Sequence, residues 1–190
     1  IQWYERLCGG LGSNPYELWQ AYVYLSMAYE RIGDLDSSLR SAWGAIDVRP
    51  EHPEPYLRLA SIYCLSADYE KAIYWTEQAQ SKKEPPFFVF KNPLDLTYNS
   101  RMVLADSLAQ LGRIPAARAV LQEAHQVIQN PQVASSIARY QEIERNAEIA
   151  TAYARMAQAH EEDWALEQAV ALPAEVRSFG RARDVYVPIL

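Results

Sequence analysis

The sequence predicts an all-α chain of antiparallel helical hairpins stacked one on the next, and three observations in its 190 residues carry that prediction. First, a set of residues recurs at a spacing of 34: Tyr22, Leu25, Tyr29, Gly33, Asp34, Leu35, Leu39, Ala42 and Ala45 return as Tyr56, Leu59, Tyr63, Ala67, Asp68, Tyr69, Ile73, Thr76 and Ala79. A period in this range marks units that bury their apolar faces only against their neighbours. Second, apolar residues fall at mixed intervals of three and four, as a helix buried on more than one side requires. Third, Gly33-Asp34, Ala67-Asp68 and Gly112-Arg113 punctuate the pattern where each hairpin must turn.

Residues 1–17 read as an N-terminal helix or linker. Within them Gly9-Gly10-Leu11-Gly12-Ser13 has a superficial likeness to a phosphate loop, but no GKS or GKT ending and no preceding strand accompany it, so it reads as a flexible link. The first hairpin, 18–52, opens with a helix from Leu18 to Ile32 carrying Trp19, Tyr22, Val23, Leu25, Met27, Ala28 and Tyr29. Gly33-Asp34 ends it, because glycine accepts the left-handed backbone of a helix terminus. Asp36 or Ser37 is the expected cap of a second helix running to about Val48, and Pro50 and Pro53 close the unit. The second hairpin, 53–84, repeats the design with Glu54 to Ser66 and Tyr69 to about Ser81. Ala67 stands where the turn glycine is expected, a substitution that fits a right-handed backbone there. The third, 98–131, places Tyr98 to Leu111 before Gly112 and Ile114 to about Ile128 after it.

Gly112 lies 45 residues beyond Ala67, so eleven residues have been inserted between the second and third units. The insertion, 85–97, is rich in proline and aromatic residues and excludes a regular helix at its start. Phe87, Phe88 and Phe90 either pack over the adjoining helices as a satellite core or form a platform for a ligand. From Gln132 to Leu172 there is no Gly or Pro, which predicts a capping helix of about 60 Å or, with a break near His160 to Asp163, a helix pair. Residues 173–190 read as a tail leading to a further domain, with an apolar end at Val185 to Leu190 that could mediate self-association. The absence of an initiator Met and that apolar end carry the expectation of a piece of a longer polypeptide.

These residues resemble the tetratricopeptide repeat family over about Trp19 to Pro131. The matching positions are the bulky residue early in the first helix (Tyr22, Tyr56), the Leu after it (Leu25, Leu59, Leu104), the small residue beside that (Ser26, Ala60, Ala105), the turns, and the small residues of the second helix (Ser38 and Ala45, Ala72 and Ala79, Ala117 and Ala124). Arg101 departs from the pattern, standing where an aromatic is usual, and the third closing proline is displaced to Pro131. The resemblance implies a right-handed solenoid with a concave groove lined by the first helix of each hairpin. The implied groove positions are Gln20, Val23, Met27, Glu30 and Arg31 in the first unit, and Glu54, Leu57, Arg58, Ser61, Cys64 and Leu65 in the second. The third contributes Asn99, Met102, Val103, Asp106 and Gln110. Family members that bind chaperone C-terminal tails clamp carboxylates with Lys, Asn and Arg, whereas this chain has Val23 and Met27 at the first two of those places. The aromatic insertion followed by further helices is also similar, in arrangement alone, to repeat regions attached to bacterial or viral glycosyltransferases.

Composition narrows the function classes. A net charge of -6 and a pI near 5.1 argue against binding nucleic acid through its phosphates. No apolar run approaches the roughly 18 residues that span a bilayer, so no membrane role is expected. Two widely separated cysteines outside any CxxC spacing fit a reducing compartment, the cytoplasm, without a metal or disulfide framework. Asp34-Leu35-Asp36 has the DxD spacing that can hold a divalent metal, but its place in an inter-helix turn explains it as turn and cap. His160-Glu161-Glu162-Asp163 has no second His at helical spacing and reads as an exposed charge run. His52 and His125 have no paired acid and no nucleophile motif with them.

The expectation is therefore a non-catalytic scaffold with no catalytic residue, cofactor or metal in this segment. Its partner would be a protein or peptide segment, or adjacent domains of the same polypeptide, with a homo-oligomer and an accessory region of a larger enzyme as the alternatives.

Overall fold

Three turns of one design organise the chain, as seen in a computed structural model that describes residues 1–11, 14–82, 94–131, 139–160 and 167–168. Every regular element among the described residues is helical. The chain divides into two compact units, Ile1–Ser107 and Leu108–Leu190.

The first unit begins with α1 (Gln2–Arg6), whose chain continues helically through Leu7–Leu11 with a kink at Gly10, φ 121°. Helix α2 (Pro15–Arg31) starts three residues earlier than the periodicity implies, because Asn14 caps it and Pro15 supplies a preset φ at its first position. The Asn14 side chain accepts from the Tyr16 N–H at 2.9 Å. Helix α3 (Leu35–Val48) follows after three residues. Gly33, at φ 80°, sets the turn between them: its N–H donates to the Glu30 carbonyl, and the Asp34 N–H donates to the Tyr29 carbonyl, both at 3.0 Å. This paired closure satisfies two of the four carbonyls that every helix end leaves open.

Asp34 then starts the next helix. Its carboxylate accepts from the Ser37 N–H at 3.0 Å, so the cap is Asp34 and neither Asp36 nor Ser37. One residue thus closes α2 through its backbone and opens α3 through its side chain. The same device recurs 34 residues on, where α4 (Glu54–Leu65) ends on Ala67 and Asp68 caps α5 (Tyr69–Ser81). The Ala67 N–H reaches the Cys64 carbonyl at 3.1 Å and the Asp68 N–H reaches the Tyr63 carbonyl at 2.9 Å. Ala67 sits at φ 59°, so the right-handed backbone expected of it is wrong. The two closing bonds hold an alanine in the left-handed region despite its Cβ.

The hairpins pack through small residues. Ala42, Ala45, Ala60, Ala72 and Ala79 are fully buried and let the helix axes approach. Between α2 and α3 the Ser38 hydroxyl donates to the Ser26 carbonyl at 2.8 Å and lies 3.1 Å from the Ser26 hydroxyl, which satisfies both polar groups in the core. The second hairpin docks on α3: Ala42, Leu59 and Ile62 form a core cluster, with Leu35, Leu39, Ile46, Tyr63 and Trp75 packed around it. After α5 the chain re-enters at Leu94, whose carbonyl accepts from both the Tyr98 and Asn99 N–H groups at 2.8 Å. These are the bonds of a widened turn over Asp95–Asn99, so α6 (Ser100–Gln110) begins two residues later than Tyr98, the expected start.

The second unit holds the third copy of the turn and α7 (Ile114–Gln129). Gly112, at φ 72°, donates to the Ala109 carbonyl at 2.9 Å, and the Arg113 N–H donates to the Leu108 carbonyl at 2.8 Å. Helix α7 buries Ile114, Ala117, Leu121, Ala124 and Ile128, a stripe spaced three and four apart. It packs against α8 (Arg139–His160), which buries Ile149, Ala150, Tyr153, Ala154 and Met156. The segments 12–13, 83–93, 132–138, 161–166 and 169–190 lie outside the described residues, and with them Phe87, Phe88, Phe90, the tail 173–190 and all of the expected break near His160 to Asp163 except His160 itself.

Candidate functional site

In the first unit, α2, α4 and the start of α6 carry the residues expected to line a groove. Gln20, Val23, Met27 and Glu30 on α2 are half-buried, and Arg31 at its end is exposed. On α4, Glu54, Leu57, Arg58, Ser61 and Cys64 are half-buried, while Leu65 is 60% exposed. Asn99 in the widened turn and Met102 and Val103 on α6 are half-buried, and Asp106 is exposed. Gln110 is exposed and belongs to the second unit.

The polar members are tied to one another. Arg58 Nη2 forms an ion pair with Glu30 Oε2, joining α4 to α2. Burial lowers the Arg58 guanidinium to about 10, and the charge of Asp95 opposes that shift. Asp95 in turn accepts from Asn99 Nδ2 at 2.7 Å. Cys64 Sγ lies 3.4 Å from Asp106 Oδ2 and links α4 to α6. Burial pushes the Cys64 thiol up to about 11, which keeps it protonated at neutral pH and removes the nucleophilic thiolate. Arg58 and Cys64 therefore tie the helices of this face to one another.

His52 has a structural setting. It is fully buried, with its ring 4.3 Å from Trp19 and 6.1 Å from Tyr16, and Arg49 lies over Tyr16 at 5.5 Å. Glu51 and Glu54 approach its two ring nitrogens at 3.8 and 3.7 Å. Burial, helped by Arg49, lowers its pKa, and Glu51 opposes this. The cluster pins the Pro50–Pro53 link against the start of α2. Asp34 is likewise committed to its cap, and the bonds from Ser37 hold its carboxyl below the usual range. Among the described residues no group of three or more His, Cys, Asp and Glu side chains could hold a metal ion. No helix among them is long and apolar enough to cross a membrane.

A concavity on the first hairpin was not anticipated. A groove of about 450 Å³ lies on the first hairpin between α2 and α3, with Tyr22, Leu25, Tyr29, Ser41, Trp43 and Gly44 among its walls and Arg40 and Asp47 at its rim. A Cβ placed on Gly44 would lie 2.7 Å from the Tyr22 ring, so only glycine admits this approach. The sequence did carry a signal for it: Ser41 and Gly44 stand where the second hairpin has Trp75 and Gln78. Compared with known proteins, the chain matches no family model and no curated protein.

Proposed function

We propose that the chain is a tetratricopeptide-like binding scaffold, a stack of helical hairpins whose α2–α4–α6 face receives an extended or helical protein segment. The observation that carries this reading is the threefold return of one turn, with Gly33, Ala67 and Gly112 closing their helices through the same pair of bonds. Such a turn rebuilds the same hairpin each time, and stacked identical hairpins place their first helices side by side on one face. The half-buried Val23, Leu57, Met102 and Val103 supply apolar anchors there. Arg31, exposed at the end of α2, supplies the positive charge that would orient an acidic or polar segment, because Arg58 is engaged by Glu30. The segment belongs to another protein or to a neighbouring domain of the same polypeptide, and chemistry performed by a larger assembly lies outside these residues.

Site-specific photo-crosslinking in the native host tests the face. A crosslinker at Leu57 or Met102 should trap a discrete partner that one at Glu77 on α5 does not, and Leu57→Asp should abolish trapping from Met102 while the helical circular dichroism is kept. Equal trapping from Glu77, or trapping that survives Leu57→Asp in a folded chain, would sink the reading.

A further inference from the structure

Residues 2–11 pack on α2 one 34-residue period before α3, with Glu5 bonded to Tyr29 and Cys8 beside Tyr22. They stand to the first hairpin as α3 stands to the second. At the second of these junctions two indoles fill the space between the helices: Trp75 of α5 packs into the core cluster, its ring 6.1 Å from that of Tyr56 on α4 and edge-on to Trp43 of α3 at 5.2 Å. Moved back by the period, Trp75 becomes Ser41, Trp43 becomes Gly9 and Tyr56 becomes Tyr22. Both indoles are therefore missing at the first junction, and the groove of about 450 Å³ lies there, with Tyr22 and Ser41 among its walls. A Cβ placed on Gly9 meets nothing within 4 Å.

The chemistry of the walls fixes what suits the space. Two hydroxyls in it are already engaged, since Ser41 donates to the Ser37 carbonyl at 2.8 Å and Tyr29 donates to Glu5. Leu25 and the Tyr22 and Trp43 rings are left to make contact, and Gly44 lets the Tyr22 ring close on α3. Charge enters at the mouth from Arg40 and Asp47, seven residues and so about 10.5 Å apart along α3. Arg40 spends Nη2 on Ser37 Oγ at 2.8 Å and is otherwise exposed, so its planar fork can take a carboxylate, which Asp47 at the other end repels. An apolar interior of this size with a few charged groups at the rim falls in the range of small-molecule sites, about 300–1,000 Å³.

We propose that the groove binds a planar aromatic ring of indole size that carries a carboxylate, the ring entering where the second junction places its own Trp75 and the carboxylate pairing with Arg40. The ring is aromatic because rings are what surround its counterpart: Trp75 lies against Trp43, Tyr56 and Tyr74, and the groove offers Tyr22 and Trp43 for the same edge and face contacts. The opposite charges of Arg40 and Asp47 set which way the carboxylate points. Such a group comes as a free aromatic acid or as the C-terminal residue of a peptide. The site is separate from the α2–α4–α6 face and does not rest on it.

The test titrates the whole isotope-labelled chain with N-acetyltryptophan and follows its backbone amide chemical shifts, which should move saturably at Ser41, Gly44 and Asp47. N-acetyltryptophanamide, which lacks the carboxylate, should bind about tenfold more weakly, and N-acetylleucine should not saturate. Arg40→Gln, a change at an exposed position, should erase the difference between acid and amide. Ser41→Trp, which installs the ring of hairpin two, should abolish the shifts. Gly9→Trp, which restores the other missing indole and leaves the buried Ser41 in place, should do the same in a chain whose circular dichroism is unchanged. Leu57→Asp should leave the affinity as it is, so failure of the other face and failure of this site are distinguishable. A peptide ending in Ala-Ala-Trp with a free C-terminus that binds more tightly than N-acetyltryptophan assigns the ring to a peptide end, and equal or weaker binding assigns it to a free acid. The proposal is overturned by the absence of saturable shifts at Gly44, by binding that survives both filling variants, by equal binding of N-acetylleucine, or by an acid preference that survives Arg40→Gln.

Discussion

Ala67 shows how one side-chain atom registers in the stability of a helix end. A left-handed alanine costs about 1 kcal/mol or more over glycine, because its Cβ crowds the carbonyl that follows. Ala67→Gly should therefore raise unfolding free energy by about 0.5–1 kcal/mol, visible as a higher urea midpoint at constant slope. His52 gives a residue-scale effect with a pH sign. Its folded pKa is lowered while its unfolded value is near 6.5, so below that pH the unfolded chain takes up a proton that the folded chain refuses. Stability should thus be full above about pH 6.5 and fall as the pH drops toward the folded pKa. His125, also lowered by burial, acts in the same direction. Urea titrations at pH 7.5 and 5.5 should show a smaller loss in His52→Gln than in the parent chain, and an equal loss would remove His52 from the account.

At the scale of elements, most of the architecture was legible and its exceptions have physical causes. Helices α4, α5 and α7 fall within one residue of their sequence boundaries, because turn residues and apolar spacing both act locally, whereas α3 starts two or three residues earlier than expected, its cap being Asp34. The handedness at Ala67 was not legible, since two backbone bonds decide it and alanine carries no mark of them. The widened turn at Asp95–Asn99 was hidden for the same reason: it differs from a helix only in which N–H groups share the Leu94 carbonyl. Groove positions were legible as a face, but not the ties of Arg58 to Glu30 and Cys64 to Asp106, which join residues 28 and 42 apart. Gly44 tests the packing of α2 on α3. Alanine there gains about 1 kcal/mol in helix propensity but must displace the Tyr22 ring, an overpacking cost of about 1–3 kcal/mol. Gly44→Ala should be destabilising by about 1 kcal/mol, and the same change made in a Tyr22→Leu background should be neutral or stabilising by thermal melt.

For the molecule as a whole, the ties between first helices matter more than any single contact. Glu30→Ala leaves the largely buried Arg58 without its ion-pair partner, and both side chains keep some solvent contact. The expected cost is about 1–3 kcal/mol, less than for a fully enclosed pair. Glu30→Met combined with Arg58→Met should recover most of it, because two apolar side chains of similar length need no compensation. Denaturant unfolding of the single and double variants measures this, and a double variant no more stable than Glu30→Ala would contradict it.

The turn that closes one helix and opens the next also has a consequence for how such a chain can grow. Each hairpin terminates its own helices with bonds made inside the turn, so nothing in it depends on how long the connection to the next hairpin is. Extra sequence is cheap between hairpins and disruptive within them, where it would part Asp34 from Ser37 or Asp68 from Tyr63. The eleven added residues before the third unit sit on the permissive side of that rule. A grafted peptide or tag belongs at the same junction, and one placed between Gly33 and Leu35 would unmake two helices at once.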